Sequence, residues 1–303
     1  MKCWLGIVVV AMAMQYCWSV TPAAAQSLLL EYKAAEALPN FDIDGKPARI
    51  HTQGLFVTQR HYYVTGRLET QPRRALLLRF DRKNLETVEF VEITPPQKGP
   101  DDALRLDHPG GFDFDGQDFW IPISASRPHS RTVVLRFPHQ PDKPLSTTVS
   151  KVAFTCDDHI GAIACDSMSR ELYGANWDTK LVYRWRTDGT VVETIPRQEL
   201  ISDDKTWALA VQDWKGIGKQ RVLAGGVDKN RDRETATSPA LVAIVDIPQR
   251  SKIASARVPR PKGTEQTLTR EGLAVLGDQL FFLPGDLGQA ARIFRYQWKI
   301  AAE

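Results

Sequence analysis

Three of the six histidines stand in short polar stretches spaced along the chain, His51-Thr52-Gln53, Asp107-His108-Pro109 and Asp157-Asp158-His159. Two further stretches of the same kind follow, Asp203-Asp204-Lys205-Thr206 and Thr269-Arg270-Glu271. Imidazole nitrogens and carboxylate oxygens hold divalent metals, so His51, His108 and His159 with Asp204, Asp158 or Glu271 form one candidate metal set. The same region could instead bind a small polar ligand or a peptide through His51, Gln53, His108, Asp158, His159, Arg270 and Glu271. In that case a carboxylate is the general base and Arg270 steadies an anion. A third reading leaves these side chains to satisfy loop backbone and water, as polar loop residues commonly do. The first two require stretches tens of residues apart to converge.

A repeat supplies the convergence. Each stretch runs into a short apolar segment: Gly54-Leu-Phe-Val, Gly111-Phe-Asp-Phe, Gly161-Ala-Ile-Ala, Trp207-Ala-Leu-Ala and Gly272-Leu-Ala-Val. Their spacings are 57, 50, 46 and 65 residues, and each is followed by further runs of β-branched and aromatic residues bounded by turn formers. In the first unit these are His61 to Gly66, Ala75 to Phe80 and Val88 to Ile93. Four strands per unit at such spacing predict an all-β fold, a five-bladed β-propeller with four-stranded blades. The last unit ends with Arg292 to Tyr296, one strand short, and Ser27 to Tyr32 is the natural donor of the missing strand. Pairing the ends seals edges that would otherwise invite aggregation. The loops leading into the innermost strands then gather at one mouth of the channel, where rigid strands hold polar groups in a concave place.

The ends and the composition set the setting. Lys2, the apolar run Leu5 to Met14 and Ala23-Ala24-Ala25 read as a secretory signal spanning residues 1–25, with one propeller domain over 26–303. The apolar run is about half the roughly 20 residues a spanning helix needs, so no membrane association is expected once the signal is removed. The expected product is exported, periplasmic or secreted. Without residues 1–25 the chain keeps 278 of its 303 residues and, having lost Lys2, a net charge of +2 in place of +3. That balance argues against nucleic acid as a partner, and a monomer is expected. Cys156 and Cys165 are the cysteines left, and an oxidising compartment allows a disulfide between them. Asp228-Lys-Asn230-Arg-Asp232 has the opening spacing of a calcium loop, but Arg233 replaces its turn glycine and Pro239 its glutamate, so a solvated hairpin tip is expected.

His51-Thr-Gln-Gly-Leu-Phe-Val followed by Tyr62-Tyr63-Val-Thr-Gly66 resembles the first blade of plant-type glutaminyl cyclases, which carry Phe-Thr-Gln-Gly-Leu ahead of Tyr-x-x-Thr-Gly. The resemblance implies an exported five-bladed propeller with its site in the channel. It also implies conversion of an N-terminal glutamine to pyroglutamate by a channel carboxylate. Where that family has Phe-Gly-Glu-Gly this chain has His108-Pro109-Gly110-Gly111, and Asp158-His159-Ile160-Gly161 replaces its Glu-Gly-Trp-Gly. The likeness therefore extends to the fold. Arg270-Glu-Gly-Leu-Ala274 is similar to a phrase in several exported propeller families, some uncharacterised. The expected function is binding of a small polar ligand or substrate at the channel mouth. The alternatives are a metal-dependent, lactonase-like hydrolase and a non-catalytic interaction scaffold.

Overall fold

Runs of Val, Ile, Leu and aromatic residues punctuated by Asp, Asn, Gly and Pro form short strands and tight turns, and almost no segment keeps a helical stripe. The computed structural model describes residues 26–96, 105–202, 204, 207–228 and 240–301. The expected signal (1–25) lies outside the described residues, as do Asp203, Lys205, Thr206 and most of the Asp228–Asp232 loop.

Apart from a small hairpin, Asp42–Ile43 with Lys46–Pro47, the strands of the described residues form five successive antiparallel groups. The first blade comprises Ile50–Val57, His61–Leu68, Arg74–Asp81 and Val88–Glu92. In the second, two short pieces, His108–Pro109 and Asp113–Phe114, pair with Asp118–Ser124, followed by Thr132–Pro138 and Lys151–Cys156. The third is Ile160–Asp166, Glu171–Asn176, Leu181–Arg186 and Val191–Pro196. The fourth is Leu209–Gly216, Arg221–Asp228, Ala240–Asp246 and Ser251–Arg257. The fifth is Gly272–Leu276, Gln279–Leu283 and Arg292–Ile300, with Gln26–Ala37 as its outer strand. That last pairing is antiparallel, from Leu28 opposite Ile300 to Ala37 opposite Arg292. The donated strand is longer than the expected Ser27 to Tyr32, and its first residues also touch the fourth blade, Gln26 opposite Ala254.

The groups close into a ring, because each is hydrogen-bonded to the next. Thr65 Oγ1 donates to Gly110 O (2.9 Å), Gly111 N to Gly161 O (2.9 Å), and Val211 N to Thr179 Oγ1 (2.8 Å). Leu273 N donates to Asp213 Oδ2 (2.9 Å), and Ile50 N to Leu287 O (3.2 Å) returns the ring to its start. The buried apolar side chains divide the same way, into five clusters, one at each junction between neighbouring blades. This is a β-propeller.

The axis is filled rather than open. Asp213, fully buried on the inner strand of the fourth blade, accepts from the backbone of the first blade (Leu55 N, 3.0 Å) and of the fifth (Leu273 N, 2.9 Å) through one oxygen. Its other oxygen is paired with Lys215, whose Nζ also donates to Phe112 O of the second blade at 2.6 Å. Asp113 accepts from Cys165 N (2.9 Å) and Gly216 N (2.7 Å), tying the second blade to the third and fourth. Burial pushes both carboxyls above the usual carboxylate range, against the pull of Lys215 and of the backbone donors.

Cys156 and Cys165 are free thiols, not a disulfide. Cys156 ends the outer strand of the second blade, whereas Cys165 lies near the far end of the inner strand of the third. Five residues of extended strand from Ile160 to Cys165 carry the second thiol ~16 Å toward the opposite face. Burial raises both thiol pKa values, so neither is activated.

Candidate functional site

Inner strands start at one mouth of the ring, and antiparallel alternation returns the end of each second strand to the same mouth. A cavity of about 480 Å³ lies there, lined among others by His51, Gln53, His108, His159, Arg270 and Glu271. Six of the seven residues expected to bind a ligand are thus brought together. The seventh, Asp158, stands behind them. Its carboxylate accepts from Asn176 Nδ2 (2.7 Å), Tyr183 Oη (2.9 Å) and His159 N (2.7 Å), which fixes the turn that presents His159. Another recess of about 400 Å³, bounded by Asp115, Arg136, Asp166 and Glu171, belongs to the loops after the inner strands, on the opposite face.

Local irregularity aims the lining. Three inner strands carry an extra residue where the pairing slips, between Thr52 and Gly54, between Ile160 and Ala162, and between Val211 and Asp213. The skipped residues are Gln53, Gly161 and Gln212, and all three line the cavity. Such bulges re-aim side chains and twist the strand locally. The turn Trp177–Thr179 adds the half-buried indole of Trp177, which meets His159 edge to face at 4.7 Å. Asp178 and Thr179 there are left-handed (φ 57° and 52°), unusual for a β-branched residue, and Thr179 is held by Val211 N.

A chain of polar contacts runs across the first and fifth blades. His51 Nδ1 is 2.9 Å from Asp286 Oδ1, and Gln53 Nε2 is 2.9 Å from His51 Nε2 and 3.3 Å from Glu271 Oε2. The hydrogen bond to Asp286 raises the His51 pKa above its ordinary value, outweighing burial. For Asp286, burial pushes the pKa up, but the bonds from His51 and from Thr52 N prevail and hold it low. Glu271 is buried, with 6 % exposure, and burial pushes its pKa up to about 8 in spite of His51 and Arg270. The Arg270 side chain is 68 % exposed and its Nε stands 3.4 Å away, so solvent weakens its pull.

The three imidazoles are adjacent, with ring centroids 5.8 Å apart for His51 and His108 and 5.7 Å for His108 and His159. They are not equivalent. His159 Nδ1 donates to Ala125 O (2.9 Å) and Arg127 O (3.1 Å), which leaves Nε2 as its lone-pair nitrogen. His108 Nδ1 faces Arg67 Nη1 at 3.4 Å; a guanidinium only donates, so Nδ1 is the acceptor and Nε2 carries the proton. Burial, with His159 and Arg67 nearby, holds the His108 pKa well below its ordinary value, and burial lowers that of His159.

This set does not suit a metal. A metal needs a lone pair from each ring, but both His51 nitrogens are already bonded and His108 Nδ1 is turned to a guanidinium. Asp204, the expected oxygen ligand, lies in a different recess beside Trp207 and Lys252, with Lys252 Nζ at 2.5 Å. Among the described residues no group of three or more His, Cys, Asp or Glu side chains could hold a metal ion. Arg67, Trp177, Gln212 and Asp286 were not singled out from the sequence. Arg67, Trp177 and Asp286 end or follow second strands, and that position was the signal available for them.

The fold and this site define a class, a β-propeller with a plugged axis and a polar cavity at one mouth. The model of the family of unknown function DUF6454 matches residues 102–297, and the chain belongs to that family. No curated protein matches the sequence. Among solved structures it is similar to the PQQ-bound form of an aldose sugar dehydrogenase from Streptomyces coelicolor, with a TM-score of 0.54 and 10 % identity over 91 % of this chain and 100 % of that one. It is also similar to a structure from the GH130 family of mannoside phosphorylases, described as containing glycoside hydrolases that target β-1,2 mannosidic linkages in Candida mannan. There the TM-score is 0.51, with 12 % identity over 92 % of this chain and 96 % of that one. Likeness at this identity establishes the fold.

Proposed function

We propose that this protein is an exported propeller that holds a small polar organic ligand in the cavity at the channel mouth. The observation that carries the reading is the convergence of His51, Gln53, His108, His159, Arg270 and Glu271, from four blades, on one cavity of about 480 Å³. That volume lies within the range of small-molecule sites, roughly 300 to 1,000 Å³, and a few convergent polar groups on rigid strands are what such sites contain. The bulges and the left-handed turn at the same mouth support it, since strained backbone gathers at binding sites. Gly110 stands where glutaminyl cyclases have their second-blade glutamate, so the cyclase reaction is not part of this reading.

Gly161 offers a clean test. It lines the cavity, and a Cβ built on it meets only Ala175 O, at 3.8 Å. The Cβ of Gly161→Leu therefore displaces no backbone, and the larger side chain should take up cavity volume. Wild type and variant are dialysed against a small-molecule extract of periplasm or culture medium, and retained compounds are read by mass spectrometry. A compound held by the wild type and lost by Gly161→Leu is the expected result. Identical retention profiles for two equally folded proteins would overturn the reading.

A further inference from the structure

We infer that the ligand of this cavity is an uncharged, hydroxyl-rich small molecule, and that Glu271 serves it as a hydrogen-bond donor. The inference rests on the ligand-binding reading above and narrows it to a chemical class.

The argument starts from which valences remain open. Both amide hydrogens of Gln53 are used, on His51 Nε2 and Glu271 Oε2, so its carbonyl oxygen is left to accept. His159 keeps Nε2 as an acceptor, because its Nδ1 is committed to two backbone carbonyls. Its neighbour His108 keeps Nε2–H as a donor, because its Nδ1 faces Arg67. Arg270 adds donors at the rim. Residues offering acceptors and residues offering donors thus line one small space. A hydroxyl group both donates and accepts, so several hydroxyls on one carbon frame match such a lining. A carboxylate or phosphate only accepts, and would bring its charge against the Gln53 carbonyl and the His159 lone pair. The half-buried indole of Trp177 supplies an apolar face for the carbon-bound hydrogens of the same molecule.

Glu271 decides the sign of the charge. Its carboxyl is buried beside Gln53 of the first blade, with His51 and Asp286 as the next titratable groups and Arg270 on its own chain. The proton it keeps at neutral pH lets it donate to a hydroxyl. Its other oxygen already accepts from Gln53, and deprotonation would replace the donor with a second acceptor while placing a buried negative charge near Asp286.

Paired probes that differ in one group test the class. The mature wild-type protein is titrated calorimetrically with D-glucose and D-glucuronate, D-mannitol and D-mannonate, and glycerol and glycerate. The uncharged member of at least one pair is expected to bind, and its acid to bind at least tenfold more weakly. Binding of the uncharged probe is then followed from pH 7 to 9.5 in wild type and Glu271→Gln. With a pKa of about 8, loss of the Glu271 proton weakens wild-type binding about 30-fold over that span. Glu271→Gln keeps a donor, and because His51 titrates in both proteins the ratio of the two profiles isolates Glu271. Tighter binding of the acids, or parallel pH profiles, would overturn the inference while leaving a ligand site in place. If no probe binds but Gly161→Leu still abolishes retention from the extract, the class is wrong and the site stands. If that variant also retains what the wild type retains, the site reading itself fails.

Discussion

Lys215→Met is the perturbation that most directly tests how the ring is held. Lys215 is almost wholly buried and its Nζ touches the Asp213 carboxylate, Phe112 O (2.6 Å) and Trp214 O (3.2 Å). Methionine keeps the stem and removes the charge. Asp213 is then left with the two backbone donors Leu55 N and Leu273 N and no cation, and breaking a buried pair from one side costs about 3–5 kcal/mol. At about 2 °C per kcal/mol for a chain of this size, the melting temperature should fall by roughly 6–10 °C. The double variant Asp213→Asn/Lys215→Met removes both charges while the amide oxygen can still accept from Leu55 and Leu273. It should return to within about 2 kcal/mol of wild type, since a buried pair is often close to neutral against uncharged replacements. The pH dependence has a definite sign. Burial already raises the Asp213 pKa above its unfolded value, and losing Lys215 raises it further, so the folded variant holds a proton that the unfolded chain gives up. Its deficit relative to wild type should therefore grow as pH rises from 5 to 8. Urea unfolding followed by circular dichroism at both pH values measures this. A single variant within 1 kcal/mol of wild type at pH 8 would show that the axial ion pair does not hold the blades together.

Gly111→Ala should cost at least about 2 kcal/mol by the same unfolding assay, because its Cβ would stand 2.4 Å from Asp213 Oδ1 and 2.9 Å from Asp213 Cα. Gly161→Ala, with free space around the new methyl, is the matched control and should lie within about 1 kcal/mol of wild type. Deleting Gln26–Ala37 bares the edge of Arg292–Ile300, and oligomers or aggregates should appear by size-exclusion chromatography with light scattering. A monodisperse, fully stable product would show that strand donation is dispensable. Glu271→Gln should gain stability relative to wild type as pH rises from 4.5 to 8. Across that window the wild-type folded state retains a proton that the unfolded state releases, and the thermal-melt difference between the two proteins should be larger at pH 8 than at pH 5.

Much of this architecture was legible because the repeat is carried by residue type. The apolar segments after His51-Thr52-Gln53 and Asp158-His159 lie within inner strands, the one after His108-Pro109 only ends in the short inner strand Asp113–Phe114, and the unpaired fifth unit pointed to an amino-terminal donor. Strand ends were less legible. Trp207, the first residue of the expected fourth entry, precedes the inner strand of the fourth blade, which starts at Leu209. The site was half visible. His51, His108 and Glu271 lie at the starts of inner strands, where loops were expected to converge. Antiparallel pairing sends the ends of second strands to the same mouth, as His51 opposite Arg67 shows, so Arg67, Trp177 and Asp286 follow from the same topology. Asp158 was misplaced because one residue of offset separates lining the cavity from bracing its wall. No pattern in the sequence announced Asp213 and Lys215 as axial, since charged residues two apart on a strand ordinarily mark its wet face.

The bulges explain how one set of strands serves both the plug and the cavity. In an unbroken strand residues two apart share a face, and a one-residue shift exchanges the faces. Leu209, Val211 and Trp214 all enter the core between the third and fourth blades, which a strict alternation forbids for Val211 and Trp214. The extra residue Gln212 permits it, and the same shift puts Asp213 and Lys215 on the other face, toward the axis. Ile50 and Leu55 share the core facing the fifth blade across the Gln53 bulge, and Ile160 and Ile163 share the core facing the second across Gly161. Each inserted residue belongs to neither core, and each lines the cavity. The slips in apolar alternation at 53, 161 and 212 are thus a written record of where the ring turns from packing itself to lining the cavity.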